Sequence, residues 1–294
     1  MNINNGINVL SLFDGISIAQ LALTQLGIKI NNYFASEIDN NPINVTQHHF
    51  PGTIQLGNVC DVDGTTLPPI DLIIFGSPCQ DLSSMKKDRT GLAGEKSGLF
   101  FEALRILKEV NPKYFLMENV GSMSKFDRKV ISDLLGVKPL QINSNLLTGQ
   151  NRNRIYWTNI PNIIIPESGS ILLNEVIEDG YVDRDKANAI LTKNVPYTKN
   201  GLTRYLKKSL GGVVFTNPIF SALTKKEKLE YIEPLNDEQV RELFRPFTSV
   251  ELERLQSLPD GYVCEILKKT PTHHAIGNSF SNNVIKHLLS FAEF

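Results

Sequence analysis

Apolar and polar positions follow two alternating rhythms over the first half of the chain. Residues 7–13 are an almost unbroken apolar run, the mark of a buried strand, and residues 18–26 repeat apolar side chains at helical spacing until Gly27 stops them. The pair then recurs: residues 32–37 read as a second strand and 41–50 as a helix with Pro42 near its first turn. Residues 71–75 are again an apolar strand, ending at Gly76, and residues 98–110 are the next amphipathic helix. Residues 113–117 and 154–158 complete the predicted strands. This alternation predicts an α/β fold, a doubly wound and mostly parallel sheet with helices on its faces.

From Ile160 the rhythm fades. Pro161, Pro166, Pro196, Pro218 and Pro234 punctuate short β-like pieces, which predicts a small irregular, β-rich domain over residues 161–246. Helical spacing returns at residues 249–258, where Ser249 is the expected N-cap, and at residues 281–291. The expected organisation is a main domain over 1–160, an insert over 161–246 and a C-terminal return over 247–294.

With 294 residues, 41% of them hydrophobic, the chain can bury the core of one large domain carrying such an insert. Its net charge is -1, so any nucleic-acid surface must be local. One basic window exists: Lys186, Lys193, Lys199, Arg204, Lys207, Lys208, Lys225 and Lys226 fall in a stretch without Asp or Glu. Phosphate binding and a solvated lysine face explain that window equally well. Cys60, Cys79 and Cys264 have no metal-ligand spacing and cannot all pair, which fits a reducing, cytoplasmic compartment and no metal. No apolar run nears the roughly 20 residues that span a bilayer. Residues 1–8 lack the basic and apolar blocks of a signal peptide, so no membrane partner is expected.

Four strand ends carry candidate chemistry. Leu12-Phe13-Asp14-Gly15-Ile16-Ser17 is a small-residue turn between a strand and a helix, where backbone N–H groups can face a ligand. With one glycine it lacks the dinucleotide fingerprint, and alone it also reads as an ordinary βα turn. Glu37 ends the next strand; it suits a ribose diol, or is a surface carboxylate. Gly76-Ser77-Pro78-Cys79-Gln80 follows a buried strand, so Cys79 belongs at the carboxyl edge of the sheet in a polar loop. A thiol so placed can be activated to thiolate by nearby positive charge. Glu118-Asn119-Val120 follows another apolar strand, and Gln150-Asn151-Arg152-Asn153-Arg154 leads into the last one. A thiol, an acid and an arginine at strand ends form a polar group that a structural core would not favour.

Together these stretches resemble the cytosine-5 DNA methyltransferase family. The matching residues are Phe13-Asp14-Gly15, Gly76-Ser77-Pro78-Cys79-Gln80, Glu118-Asn119-Val120 and Gln150-x-Arg152-x-Arg154, then Glu251-x-x-Arg254-Leu255-Gln256-x-x-Pro259 and Gly277-Asn278-Ser279, all in the family's order. Phe13-Asp14-Gly15-Ile16 is similar to the vertebrate de novo branch, and Gln80 to bacterial members. The resemblance implies that Cys79 attacks carbon 6 of cytosine, Glu118 assists at ring N3, Arg154 holds O2 and Arg152 supports the loop. It implies S-adenosylmethionine as cofactor, lying across Phe13, Asp14, Gly15, Ile16, Ser17, Glu37, Ile38, Asn58, Val59, Gly76, Pro78, Leu99, Asn278 and Ser279. It implies double-stranded DNA as substrate, with Gln80, Ser83, Lys193, Lys199, Asn200, Thr203, Arg204, Lys207 and Lys208 as contacts, residues 161–246 being the target-recognition domain. A monomer is expected, and a cognate restriction endonuclease is a partner that the resemblance allows.

The chain departs from the family in two places. Asn58 stands where an acid often accepts from the adenine amino group, and Ile18 where bacterial members tend to have glycine. A transfer-RNA enzyme of the same chemistry would carry a late Cys-Phe-Thr tripeptide, which is absent. A non-catalytic DNA-binding relative would have lost a catalytic residue, yet Cys79, Glu118 and Arg154 are all present. A nicotinamide-dependent oxidoreductase would want the missing glycine fingerprint.

Overall fold

The computed structural model describes residues 6–78, 95–167, 169, 171–190, 196–208 and 211–294. Cys79, Gln80, Ser83 and Lys193 lie outside the described residues. The described chain forms two compact units, one of residues 1–143, 153–166 and 280–294, the other of 144–152 and 167–279. The insert expected over 161–246 falls mostly within the second unit, which also takes in a short excursion at 144–152 and continues to Ser279.

The first unit contains β1 (Ile7–Leu12), α1 (Ile18–Gln25), β2 (Ile30–Ser36), α2 (Asn40–His49), β3 (Ile54–Gln55), β4 (Leu72–Phe75), α3 (Glu95–Val110), β5 (Tyr114–Val120), α4 (Lys125–Leu135), β6 (Leu140–Asn143) and β7 (Asn153–Thr158). The strands form one sheet in the order β3-β2-β1-β4-β5-β7-β6. β1 to β5 run parallel, whereas β7 is antiparallel to both β5 and β6. The predicted doubly wound sheet is therefore present. Strand order reverses between β1 and β4, which opens a crevice at their carboxyl ends. Register decides what lines it. Ser36, Leu12, Phe75 and Met117 form one row across four strands. The next residues along the chain, Glu37, Phe13, Gly76 and Glu118, thus share the carboxyl edge.

Strand positions alternate faces, and one set closes a core: Leu10, Leu12, Phe34, Ile73, Phe75, Phe115, Met117, Ile155 and Trp157 pack with Phe100, Ala103 and Ile106 of α3 and Ile131 of α4. Trp157, the single tryptophan, is fully buried and donates its Nε1–H to Ser132 Oγ at 2.9 Å. Sequence periodicity did not predict α4, β6 or β3. β3 is only two residues long, and α4 carries charged residues on much of its surface, so neither gives a long apolar signal.

The second unit corrects one expectation. It is helical, not β-rich: α5 (Lys199–Lys208), β8 (Val214–Phe215), α6 (Pro218–Ala222), α7 (Lys225–Ile232), α8 (Asp237–Arg241), β9 (Phe244–Arg245), α9 (Ser249–Leu255) and α10 (Lys269–Asn278). Its only named strands among the described residues are the two-residue pair β8–β9. One of the prolines that looked like breaks is a helix start. Pro218 occupies the first turn of α6 behind an Asn217 cap, and capping boxes join Thr224 to Glu227 and Asn236 to Gln239. Helices of five to eight residues between such caps are too short to show a helical period. The cap of α9 is Thr248, boxed with Glu251, one residue before the expected Ser249. Leu202, Tyr205 and Leu206 of α5 meet Phe215, Phe220, Ile232 and Val240 in the unit's core. The chain then returns to the first unit through α11 (Asn282–Leu289), which packs beside α1.

Candidate active site

The turn after β1 has an unusual backbone. Phe13, Gly15 and Ser17 all have left-handed φ, at 55°, 61° and 58°. Gly15 suits this conformation, and a Cβ placed there would meet nothing within 4 Å, so the turn faces open space. Its N–H donates to Glu37 Oε2 at 2.9 Å, while Glu37 Oε1 accepts from the N–H groups of Ile38 and Asp39 at 2.8 and 3.0 Å. Three backbone donors thus fix the Glu37 carboxylate at the end of β2. Ile38, next to it, is 74% exposed, a large apolar side chain without cover in this unit. Asp14 turns the other way: its carboxylate is buried beneath the turn, accepting from Ser17 Oγ and Tyr33 OH. Ile16 is buried, and Leu99 packs against the core with Phe13.

Asn58 caps the single-turn helix Val59–Asp61, its Oδ1 accepting from Cys60 N–H at 3.1 Å. That bond fixes the amide: the oxygen faces the turn and the Nδ2 donors point away from it. The side-chain oxygen is therefore engaged, and Val59 beside it is buried.

At the other side of the crevice, β4 ends in Gly76-Ser77-Pro78. A Cβ at Gly76 would come within 2.8 Å of the Phe280 ring, so glycine leaves that ring room at the end of β4, and 3.6 Å from Glu118 Oε2, an ordinary contact that places the end of β5 alongside. Glu118 Oε1 lies 2.7 Å from Arg154 Nε, both side chains being mostly buried. Antiparallel pairing accounts for the contact: Glu118 faces Tyr156, Val120 faces Arg154, and the long Arg154 side chain spans the diagonal. Its Nη1 also donates to Asn153 O at 2.9 Å. Asn119, fully buried, donates from Nδ2 toward Ser77 O and Oγ at 3.3 and 3.2 Å. It ties the end of β5 to the loop that leads to Cys79. The sequence marked Asn119 as part of a tripeptide but gave it no role; a buried amide beside a loop oxygen is visible only in the fold.

Other predicted residues belong to the second unit. Arg152 precedes β7 and is buried; its guanidinium donates to the carbonyls of Gly277 and Ser279 at 3.2 and 2.7 Å. Gln256 Nε2 reaches Ile276 O at 3.2 Å, and Gln150 Nε2 reaches Leu255 O at 3.0 Å. These amides and Arg152 shape the segment that holds Asn278 and Ser279, at the end of α10. Arg254 pairs with Asp260 at 2.6 Å. On α5, Asn200, Arg204, Lys207 and Lys208 are exposed at helical spacing and share one face, with Thr203 partly covered beside them. Lys199 differs: its ammonium donates to the carbonyls of Glu233 and Leu235, just past the end of α7. Lys186 likewise donates to Thr148 O and Ile171 O. Both cations serve the unit's own backbone.

Comparison with known proteins decides the family. The model for C-5 cytosine-specific DNA methylases matches residues 7–158, over half of the chain and all of the crevice just described. The chain belongs to this family. Its chemistry is that of a DNA methyltransferase acting at carbon 5 of cytosine. The type II methyltransferase M1.ScrFI of Lactococcus lactis subsp. cremoris is 27% identical over 92% of this chain and 74% of its own length. The orphan methyltransferase M.Rho11sI of Bacillus phage rho11s is 32% identical over 51% of this chain, which spans only 32% of that longer protein. Among solved structures, DNMT2 of Spodoptera frugiperda shares the fold with a TM-score of 0.67 at 18% identity, over 97% of this methyltransferase and 99% of that chain. Among the described residues no helix is long and apolar enough to cross a membrane.

Proposed function

We propose that this methyltransferase moves a methyl group from S-adenosylmethionine to carbon 5 of a flipped-out cytosine, in a specific sequence of double-stranded DNA, through a covalent bond from Cys79 to ring carbon 6. The observation that carries the reading is the Glu118–Arg154 pair, 2.7 Å apart at the carboxyl edge, beside the Gly76-Ser77-Pro78 segment that precedes Cys79 in sequence.

Carbon 5 of cytosine is a weak nucleophile until the ring is activated. The Cys79 thiolate forms a bond to carbon 6, and the ring electrons move toward carbon 5. Glu118 favours that step by hydrogen bonding or protonating N3, and Arg154, already held by Glu118, holds O2. When bound, the cofactor supplies an electrophilic methyl group on a sulfonium. Carbon 5 would take that methyl with the electron pair it gained from the ring, and loss of the carbon 5 proton to solvent would then re-form the double bond and expel Cys79 as thiolate. Such an approach needs the base out of the duplex stack.

The residues of the first crevice suit this cofactor. The turn at Gly15 has room in front of its backbone, Glu37 is oriented by three N–H groups with lone pairs left for a diol, and exposed Ile38 offers an apolar face to a base. Phe13, Gly15, Glu37, Ile38, Asn58, Val59, Gly76, Pro78 and Leu99 would hold it, while the side chains of Asp14, Ile16 and Ser17 are buried behind the turn. Asn58→Asp keeps an oxygen for Cys60 N–H and replaces the outward donor with an acceptor. Affinity for S-adenosylmethionine, measured by calorimetry, is expected to hold or rise. A loss beyond about tenfold, ~1.4 kcal/mol, would show that residue 58 faces another group.

DNA contact falls to the second unit, the target-recognition domain in this reading, with residues 161–246 at its centre. The exposed α5 face of Asn200, Arg204, Lys207 and Lys208 supports it; Lys199 drops out because its ammonium is held by carbonyls just past α7. Replacing Lys207 and Lys208 together by alanine should weaken binding to all DNA alike and flatten the salt dependence by roughly one unit of slope per lost phosphate contact. Changes at Asn200 or Thr203 should instead alter which cytosines are methylated. A randomised-site methylation library separates the two; a lysine pair that shifts sequence preference would reverse these roles.

The free thiols of Cys60 and Cys264 support a cytoplasmic setting. The type II name of one relative supports a partner endonuclease, and the orphan name of the other supports action without one. Bisulfite sequencing of plasmid DNA from expressing cells tests the activity. Protected cytosines in one sequence context are expected; complete conversion, or modification found in transfer RNA alone, would overturn it.

A further inference from the structure

A backbone turn with three left-handed residues in five, two of them not glycine, persists only where its surroundings over-determine it. Part of the hold is backbone: Asp14 N–H donates to Ser36 O at 3.1 Å, and Ser17 N–H to Asp14 O at 3.3 Å. Glu37 adds a second part, its Oε2 accepting from Gly15 N–H at 2.9 Å, and the Asp14 carboxylate a third. Asp14 is 6% exposed, and each of its oxygens has its own hydroxyl donor: Ser17 Oγ at 2.7 Å on Oδ2, and Tyr33 OH at 2.8 Å on Oδ1. Tyr33 comes from the middle of β2, 19 residues away, and is 2% exposed. The Ser11 hydroxyl is buried in the same place.

We propose that Tyr33 is a positioning residue for cofactor binding, acting through ionised Asp14 to hold the left-handed turn of residues 13–17. The inference rests on the cofactor reading above, because that turn is the floor of the proposed cofactor crevice. An ionised carboxylate can accept from Tyr33 and Ser17 at once. A protonated one must turn one oxygen into a donor, so one of the two bonds is lost or reversed.

Burial pushes the Asp14 carboxyl up to about 6; the Ser11, Ser17 and Tyr33 hydroxyls oppose the rise, and the Glu37 charge adds to it. The Tyr33 phenol is itself held well above its ordinary value, chiefly by burial and by the Asp14 charge, and so remains a donor. Two pH effects of opposite sign follow. The folded chain keeps a proton on Asp14 that the unfolded chain releases between the ordinary value of 3.8 and about 6, so this group favours the fold more as pH falls through that window. Cofactor affinity moves the other way, falling as pH drops below about 6. A side chain that merely supported the fold would move both together.

The test is calorimetric titration of the full chain with S-adenosylmethionine from pH 5 to 8, alongside DNA binding and thermal melting, for the parent, Tyr33→Phe and Ser17→Ala. Removing one donor to an ionised group should weaken cofactor binding about tenfold at pH 7 and move the acid fall upward by about one pH unit. DNA affinity should not change. Ser17→Ala removes the other donor and carries the same expectation if Tyr33→Phe fails to fold. An affinity and pH profile in folded Tyr33→Phe equal to the parent's would overturn the inference while the cofactor reading stood. A parent that binds no S-adenosylmethionine at any pH would overturn both.

Discussion

Cys79→Ser is expected to cut methyl transfer by roughly 10⁴-fold or more, the scale of loss when an enzyme's nucleophile is removed. The reason is chemical: a serine hydroxyl keeps its proton near neutral pH, whereas a thiol beside positive charge is readily ionised. Fold and cofactor crevice should be unaffected, since Phe13, Gly15, Glu37 and Asn58 come from other parts of the chain and Gly76 and Pro78 are unchanged. Affinity for S-adenosylmethionine should therefore stay within about threefold of the parent. The parent protein should also form a covalent complex with substrate DNA that contains 5-fluorocytosine. Fluorine at carbon 5 cannot leave as a proton does, so the bond from Cys79 to carbon 6 is not released. A shifted band on a denaturing gel reads this directly, and Cys79→Ser should not give it. Near-normal turnover in the variant, or no adduct from the parent on confirmed substrate, would remove Cys79 from the mechanism.

The second large effect is expected from Glu118→Gln. The amide keeps an oxygen that can accept from Arg154 Nε, at 2.7 Å in the parent, so the end of β5 should retain its geometry. What is lost is the acid. An amide can touch N3 but protonates it poorly, and general acid–base groups commonly contribute about 10²- to 10⁴-fold. Single-turnover rates should fall by roughly that range, while DNA affinity changes by less than about threefold. Equal losses in rate and in binding would instead make Glu118 a residue that places the base. Arg154→Ala offers a contrast: it leaves the Glu118 carboxylate, mostly buried, without this partner, so a loss of stability should accompany the loss of rate.

Much of the first unit was legible before any fold was known, because its signals are local. An apolar run followed by a small-residue turn marks a buried strand and its carboxyl end, whatever lies beside it. Gly76, Glu118 and Glu37 could therefore be placed at strand ends from sequence alone, and parallel strands with helical crossovers bring such ends to one edge. The resemblance to cytosine-5 methyltransferases rested on those same stretches, and the family match confirms it over residues 7–158. The second unit was less legible. Its helices are five to ten residues long, with caps and prolines that read as breaks, and too few turns to show a period.

Side-chain partners at long range were not legible at all. Arg152 and Arg154 are two residues apart in Gln-x-Arg-x-Arg, and only the family resemblance, not their spacing, separated their roles. β7 starts at Asn153, so Arg154 lies in the sheet diagonal to Glu118, while Arg152 stands before the strand and bonds Gly277 and Ser279. Lys199 and Lys207 belong to the same basic window. The segment just past α7 has carbonyls at Glu233 and Leu235 that take Lys199 but not Lys207. Asp14 looked like a cofactor ligand because its neighbours do, yet Tyr33 on the next strand turns its carboxylate into the protein. The sequence by itself determined where strands end and which chemical groups stand there, because turn residues and apolar runs act over a few residues. Strand register and the position of helix ends decided which of those groups meet, because contacts between residues 19 to 127 positions apart depend on the packing of the whole unit.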